Sequence, residues 1–504
     1  MRHIPVTMAT QHPDNINPAY FNNKAFISTS DEIEEAYLSR SELGTDEYMW
    51  DWEWKFVDES VVEKLFRQHA DYFEKNRLWR DKFLTYRIPN IRKESGHRLM
   101  RAFMNIISIT EFAKELWYDD YPVFEVILPM TESADQMIYI KEKFKKLAQI
   151  MPDLMEHKFF HTSLHIEVIP LFEEVPIMIN SVPILEKYAD MVTKTSGKKP
   201  EYLRVFLARS DPAMNVGIIP SVLWVKAAIS QYRDYEKKSW IKIYPWLGWW
   251  SLPFRGNVSP DRIDDTINEY KGLDSITIQS SFRYDHPLET VKEAIHKLNT
   301  ELPKNRDQYN NFSDEDIQKT QQVHDIGIAI YSKTIEHIAD MINQVASSVP
   351  KRRERMLHIG LFGYSRWIGE TKLPRAIWFT ASLYSLGIPP ELIGTGRLIK
   401  ELQAKWLLIF VEEKYINIKK DLAFAYKYLN KDNLMIASKQ NPAFDDIIED
   451  VRIIETYLWE LADNTSWESI AHQQETSSVM QLMLAWKDFK EPLINAAKIR
   501  KSLG

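Results

Sequence analysis

The sequence predicts an α/β protein, a (β/α)8 barrel of the TIM type with additional α-helices, mainly C-terminal. Three observations predict it. Short apolar runs recur through the first 361 residues, each bounded by polar or proline-containing ends, as buried strands are. From the second to the seventh they begin about 34–42 residues apart, room for one strand, one helix and two loops. Helical patterns fill the gaps, so the strands pair in parallel, because parallel neighbours need long crossovers. Eight such units close into a barrel. An open doubly wound sheet is the alternative, but it ordinarily carries an early Gly-rich phosphate loop, and this chain has none.

The totals agree with a large soluble enzyme. The chain has 504 residues, 44% hydrophobic and 27% charged. That is ample material for a barrel core and a further helical region. We divide it into a barrel domain with helical insertions, residues 1–395, and a C-terminal helical region, residues 396–504. No apolar run is long enough to span a membrane. The first residues, MRHIPVTMATQHPDN, lack the apolar stretch of a signal peptide, so a cytoplasmic location is expected. With no cysteine there is no disulfide, no thiolate nucleophile and no cysteine-ligated metal. A net charge of −7 argues against a nucleic-acid partner.

The first strand is expected over Ile4 to Thr10, ending at the polar turn Gln11-His12-Pro13-Asp14-Asn15. Asp31 to Arg40 reads as an acidic helix. The segment Tyr48-Met49-Trp50-Asp51-Trp52-Glu53-Trp54 alternates aromatic and acidic residues; it reads as a packed loop or partner surface, without a chemical role. Lys82–Tyr86 is the second strand, ending at Arg87. Pro122–Leu128 is the third and Leu164–Ile169 the fourth, which leads to Glu173. Leu203–Leu207 is the fifth. Its end, Arg209-Ser210-Asp211-Pro212, must leave the strand, because Pro212 lacks an N–H and has a fixed φ. Ile241–Trp246 is the sixth, followed by SLPFRG with Arg255. Ser275–Ile278 is the seventh, ending at Gln279. Leu357–Leu361 is expected as the eighth, ending near Arg366. Asp314 to Ser348, Lys372 to Leu386 with Arg375 in its first turn, and most of the remainder are helical.

Some motifs tempt and fail. His157, His161 and His165 stand four apart, but His165 falls in the fourth strand, so no single helix presents all three to zinc. Lys351-Arg352-Arg353-Glu354-Arg355 reads as a solvated or interface face. Trp246, Trp249 and Trp250 read as packing.

What remains is an anion site. His12, Arg87, Glu173, Arg209, Asp211, Arg255 and Arg366 sit just past strand ends, where barrel enzymes do their chemistry. Arginine matches phosphate and carboxylate oxygens. Glu173 and Asp211 suit Mg2+ or Mn2+ with positions left for substrate oxygens. A small phosphorylated carboxylate fits this set, which by itself selects no reaction.

MATQHPDN, FLTYRIPN, PVFEVILPM, EVIPLFE, RVFLARSDPAMN, SLPFRG, LHIGLFGYSR, LPRAI, GIPPELIG and RKSLG together resemble the archaeal-type phosphoenolpyruvate carboxylases. The likeness covers nearly the whole chain. It implies a barrel with added helices, a homotetramer, Mg2+ or Mn2+, and irreversible carboxylation of phosphoenolpyruvate by bicarbonate to oxaloacetate and phosphate. The implied route runs through carboxyphosphate and an enolate. By resemblance His12 is the catalytic histidine, and Glu173 and Asp211 are the metal ligands. Arg87, Arg255, Arg366 and Arg375 are then catalytic, substrate-side arginines, with Arg209 and Gln279 also on the substrate side. The chain departs from the long bacterial and plant type in two places. Met214 stands where that type has a loop lysine, and SLPFRG replaces a longer Gly-rich loop with a histidine and two arginines. Two other readings bear weighing: another Mg2+-dependent phosphoenolpyruvate or pyruvate barrel enzyme, lyase or phosphotransferase, and a non-catalytic assembly protein built on the C-terminal helices.

Overall fold

The computed structural model describes residues 3–53, 55–118, 121–155, 164–354, 366–368 and 371–504. Eight parallel strands close a barrel in chain order: β1 (Thr7–Ala9), β2 (Glu47–Asp51), β3 (Phe83–Arg87), β4 (Glu125–Leu128), β5 (Glu167–Phe172), β6 (Tyr202–Ala208), β7 (Lys242–Gly248) and β8 (Ser275–Ile278). Closure is made by β8 on β1, with Thr7 opposite Ile276 and Ala9 opposite Ile278.

Alternation along each strand sorts the side chains into two cores. Residues such as Tyr48, Trp50, Leu84, Tyr86, Val205 and Leu207 point outward and pack with the surrounding helices. Met8, Met49, Ile127, Ile169, Leu171, Phe206, Ala208 and Trp246 fill the barrel itself. Phe206 and Trp246 stack there at 4.0 Å between ring centres. A Cβ on Gly248 would stand 2.9 Å from the Phe206 ring, so the top of β7 has room only for glycine. Below this apolar layer lies a charged one. Arg204 is held by Glu47 at 2.9 and 2.7 Å and by Glu125 at 2.7 Å, with all three side chains out of water.

Three sequence expectations change. The Trp-rich segment contains β2, a barrel strand and not a loop or partner surface. Its alternation is a pleat, with Glu47, Met49 and Asp51 inward and Tyr48 and Trp50 outward. The strand expected at Leu357–Leu361 lies outside the described residues, and the barrel closes without it, since β2 takes the eighth place. The basic run at 351–355 also differs from a solvated face. Arg353 is buried against Glu32 at 3.0 Å and Glu35 at 2.8 Å, and Arg352 donates to the carbonyls of Asn15 and Ile16. Local composition did not show the two buried glutamates that compensate it.

From Thr395 onward the described elements are all helical. They dock on the barrel through buried polar pairs: Asn257 donates to Asp421 at 2.6 Å, and the Asn417 N–H donates to Glu269 at 2.6 Å. The Leu503 N–H reaches the Asp14 carbonyl at 2.9 Å, which brings the last residues beside the β1 turn.

Candidate active site

One cavity opens at the C-terminal ends of the strands. It is lined by His12, Glu53, Arg87, Glu173, Asp211, Arg255, Gln279 and Arg375, with Trp250 and Trp378 among its walls. Strand parity explains much of the convergence. Residues two past an inward position continue inward, so Thr10 leads to His12, Leu171 to Glu173 and Thr277 to Gln279.

Arg87 is the most firmly held of the arginines. Its Nε and Nη2 donate to Asp51 at 2.9 and 2.6 Å, and Nη1 lies 3.0 Å from Glu53. Burial works against its charge, but Asp51, Glu53 and Glu173 overcome that and hold its pKa above the usual arginine value. Arg255 is placed differently. It ends a short 3-10 turn, Pro253–Arg255, that SLPFRG forms after β7. Its Nη1 donates to the backbone oxygen of Gly504, Nε donates to Ser210 Oγ at 3.3 Å, and its guanidinium lies 4.0 Å over the Trp250 ring. Burial pushes its pKa down to about 9, with Asp14 and Asp211 opposing the fall. Arg375 is the N-cap residue of the helix Ala376–Ser385, 5.8 Å over the Trp378 ring.

Asp211 lies in a short helix, Ser210–Val216, into which the chain turns on leaving β6; Pro212 sits in its first turn, where its missing N–H costs nothing. His12 presents Nδ1 to Thr10 Oγ1 at 3.1 Å and stands edge-on to Trp250, 5.4 Å between ring centres.

Arg209 is not brought to the cavity. It is fully buried behind the rim, where it donates to Ser221 Oγ at 2.7 Å and to the Phe254 carbonyl at 3.3 Å. It thereby ties the end of β6 to the loop that carries Arg255. The same loop is fixed from the other side by Glu391, whose Oε1 accepts the Phe254 N–H at 2.7 Å and the Tyr384 hydroxyl at 2.8 Å. The Arg366 side chain, His157 and His161 lie outside the described residues. His165 stands edge-on to Phe124, ring centres 5.4 Å apart.

Sequence reasoning missed Asp51, Glu53 and Asp14. The first two were hidden by the loop reading of 48–54, though strict alternation of aromatic and acid was the available signal. Asp14 accepts from the Ser281 N–H at 2.9 Å and Oγ at 2.7 Å; burial raises its pKa, against the pull of Arg255. That contact joins residues 267 apart, which no local pattern reports.

Comparison with known proteins gives a consistent result. A sequence model of the family described as phosphoenolpyruvate carboxylase matches residues 4–504. The phosphoenolpyruvate carboxylase of Leuconostoc mesenteroides is 37% identical over 511 residues, covering 100% of this chain and 99% of that protein. The protein of the same name from Oenococcus oeni is 38% identical over 461 residues, 91% of this chain and 90% of its own length. That of Methanothermobacter thermautotrophicus is 39% identical over 457 residues, covering 88% and 91%.

Proposed function

We propose roles for these side chains from one premise: the chain belongs to the phosphoenolpyruvate carboxylase family. It catalyses the carboxylation of phosphoenolpyruvate by bicarbonate to oxaloacetate and phosphate. The observation that supports the residue assignment is the meeting of His12, Arg87, Glu173, Asp211, Arg255 and Arg375 around one cavity.

Glu173 and Asp211 fit a divalent cation. Among the described residues no three His, Asp or Glu side chains form a metal cage. Two carboxylates on one cavity wall are the donor set Mg2+ or Mn2+ takes when water and substrate oxygens complete its shell. Bound there, the ion would supply positive charge against the negative charge that gathers on phosphate and enolate oxygens.

The arginines bind and orient the substrate. Arg87 is pre-set by Asp51 and Glu53, so little freedom is lost when it meets an anion. Arg255 and Arg375 bring further positive charge to the same cavity, and Gln279 serves His12. A bicarbonate oxygen attacks phosphorus and the bond from phosphorus to the enol oxygen breaks, giving carboxyphosphate and the enolate of pyruvate. His12 then takes the carboxyphosphate proton, and the intermediate falls to CO2 and phosphate. The enolate carbon attacks CO2 to form oxaloacetate. Trp250 and Trp378 help keep water from the enolate, which it would protonate to pyruvate.

The family reading carries with it a homotetramer and a cytoplasmic enzyme. Ile409, Ile416, Met435 and Ile470 stand exposed on the C-terminal region and favour a subunit contact there. No helix among the described residues is long and apolar enough to cross a membrane. The test is an assay with phosphoenolpyruvate and a divalent cation, without nucleotide. Bicarbonate-dependent release of oxaloacetate and phosphate in equal amounts is expected; oxaloacetate that fails to depend on bicarbonate overturns the reading.

A further inference from the structure

We propose that Thr10 and Gln279 are positioning residues that hold His12 in the tautomer with its proton on Nδ1, leaving Nε2 as the base. This deepens the proposed function and rests on His12 acting as the base there. A chain of hydroxyls and one amide fixes where each hydrogen lies. Thr277 Oγ1 accepts the Trp249 N–H at 2.9 Å and gives its own proton to the Trp249 carbonyl at 3.3 Å. Toward Gln279 it is therefore an acceptor, and Gln279 Nε2 donates to it at 3.1 Å. That orients the amide, so Gln279 Oε1 faces Thr10 and takes the Thr10 hydroxyl proton. Thr10 Oγ1 can then only accept from His12, whose Nδ1 lies 3.1 Å away. A ring nitrogen that donates carries the proton, and in a neutral imidazole the other nitrogen does not.

Thr10, Thr277 and Gln279 are all buried. Water cannot reset the chain cheaply, and each link has the burial that makes a misplaced hydrogen costly. The direction is set at the top of β7 by the Trp249 backbone, which has no second tautomer. Gln279 thus acts through His12 and not through a substrate oxygen.

The test combines a spectrum with a partition ratio. Solid-state 15N spectra of histidine-labelled enzyme, with the His12 signal identified by its loss in His12→Asn, should show Nδ1 protonated and Nε2 bare. In Thr10→Val the His12 signal should spread over both tautomers. Oxaloacetate formation should fall by about 10²-fold, the low end of what a general base contributes, while bicarbonate-dependent phosphate release and the KM for phosphoenolpyruvate hold. Thr10→Ser should restore both. If His12 carries its proton on Nε2, or if Thr10→Val partitions like the unaltered enzyme while His12→Asn does not, the positioning role is wrong. If His12→Asn loses phosphate release and carboxylation together, the base assignment itself fails, a different result from either.

A separate observation concerns glycine. Six tryptophans, Trp79, Trp117, Trp240, Trp406, Trp459 and Trp486, have φ between 50° and 75°. A bulky residue seldom enters this left-handed region, which is the usual place of glycine. Three of them close helices by the same pair of bonds. The Trp117 N–H reaches Lys114 O while Tyr118 reaches Ala113 O; Trp406 pairs with Gln403 and Leu407 with Leu402; Trp486 pairs with Met483 and Lys487 with Leu482. Gly387 does the same at another helix end, with Gly387 to Tyr384 and Ile388 to Leu383. In this motif the left-handed position is ordinarily glycine. The five tryptophans other than Trp79 are 77–90% exposed, so packing does not hold them there. The chain has 15 glycines and 16 tryptophans, where ordinary usage would give about 35 glycines.

We infer that the protein made in its own cells carries glycine at the five exposed positions, 117, 240, 406, 459 and 486; Trp79, packed against Tyr121 and Phe124, is not among them. The codon UGA is read as tryptophan in some genetic codes and as glycine in others, so one codon reassignment covers all five. Peptide mass spectrometry of the protein purified from its source should find glycine at residues 117, 406 and 486. Tryptophan at any of the three overturns the inference.

Discussion

Asp51 and Arg87 stand opposite each other in the register of β2 and β3 and share a two-pronged ion pair, 2.9 and 2.6 Å. The pair is buried, so its geometry is worth more than its charge count. Asp51→Asn keeps the shape and removes the anion. We expect a loss of about 3 kcal/mol of stability, since breaking one side of a buried pair leaves its partner uncompensated. The KM for phosphoenolpyruvate should rise about 10-fold as Arg87 loses its fixed orientation. Thermal melts and substrate titrations check both; an unchanged KM would mean that Arg87 does not meet the substrate.

Glu173→Gln and Asp211→Asn should each abolish turnover while the fold persists. An amide is a poor substitute for an anionic ligand of a hard cation. Circular dichroism and a Mg2+ or Mn2+ titration of activity are the measurements. Near-normal activity at low metal in either variant removes that residue from the ligand set.

Arg255→Gln separates binding from the later proton step. Arg255 serves the shared first step, so its loss should lower phosphate and oxaloacetate together and leave their ratio near one. His12→Asn should instead release phosphate with pyruvate in place of oxaloacetate. The ratio of phosphate to oxaloacetate at saturating bicarbonate distinguishes the two, and equal ratios in both variants would count against the division of roles.

Glu391 makes stability depend on pH. Burial raises its pKa to about 7 from a model-peptide value of 4.5. The folded state therefore holds this proton more tightly than the unfolded chain does. The stabilisation is fully present below pH 4.5 and is lost as pH rises through about 7, a swing on the order of 3 kcal/mol. Glu391→Gln should flatten that part of the profile. Denaturant unfolding at pH 5 and pH 8 reads it: the difference between the two pH values should shrink in the variant, and an undiminished difference would refute the assignment to Glu391.

Much of the barrel was legible because buried parallel strands write themselves as short apolar runs at a steady interval. β2 was not, because its inward face is Glu47, Met49 and Asp51, and an acidic inward face hides a strand from an apolar search. Its charges are affordable only beside Arg204 and Arg87, which come from other strands. Among the residues that line the cavity, those just past strand ends were readable from position and chemistry. Arg209 was the exception, since the same position admits a side chain turned back under the rim toward Ser221. Asp14, Glu391 and Asp421 depend on contacts across the chain and left no local trace.

The layer formed by Arg204, Glu47 and Glu125, with Phe206 and Trp246 stacked above it, plugs the barrel from below. Traffic through the enzyme is therefore one-way in space but two-way in time. Among the described residues, the mouth at the strand C-termini is the way by which both substrates enter and both products leave. Oxaloacetate or phosphate lingering there blocks the next phosphoenolpyruvate, so each product should act as a competitor for the doorway even without a separate site of its own.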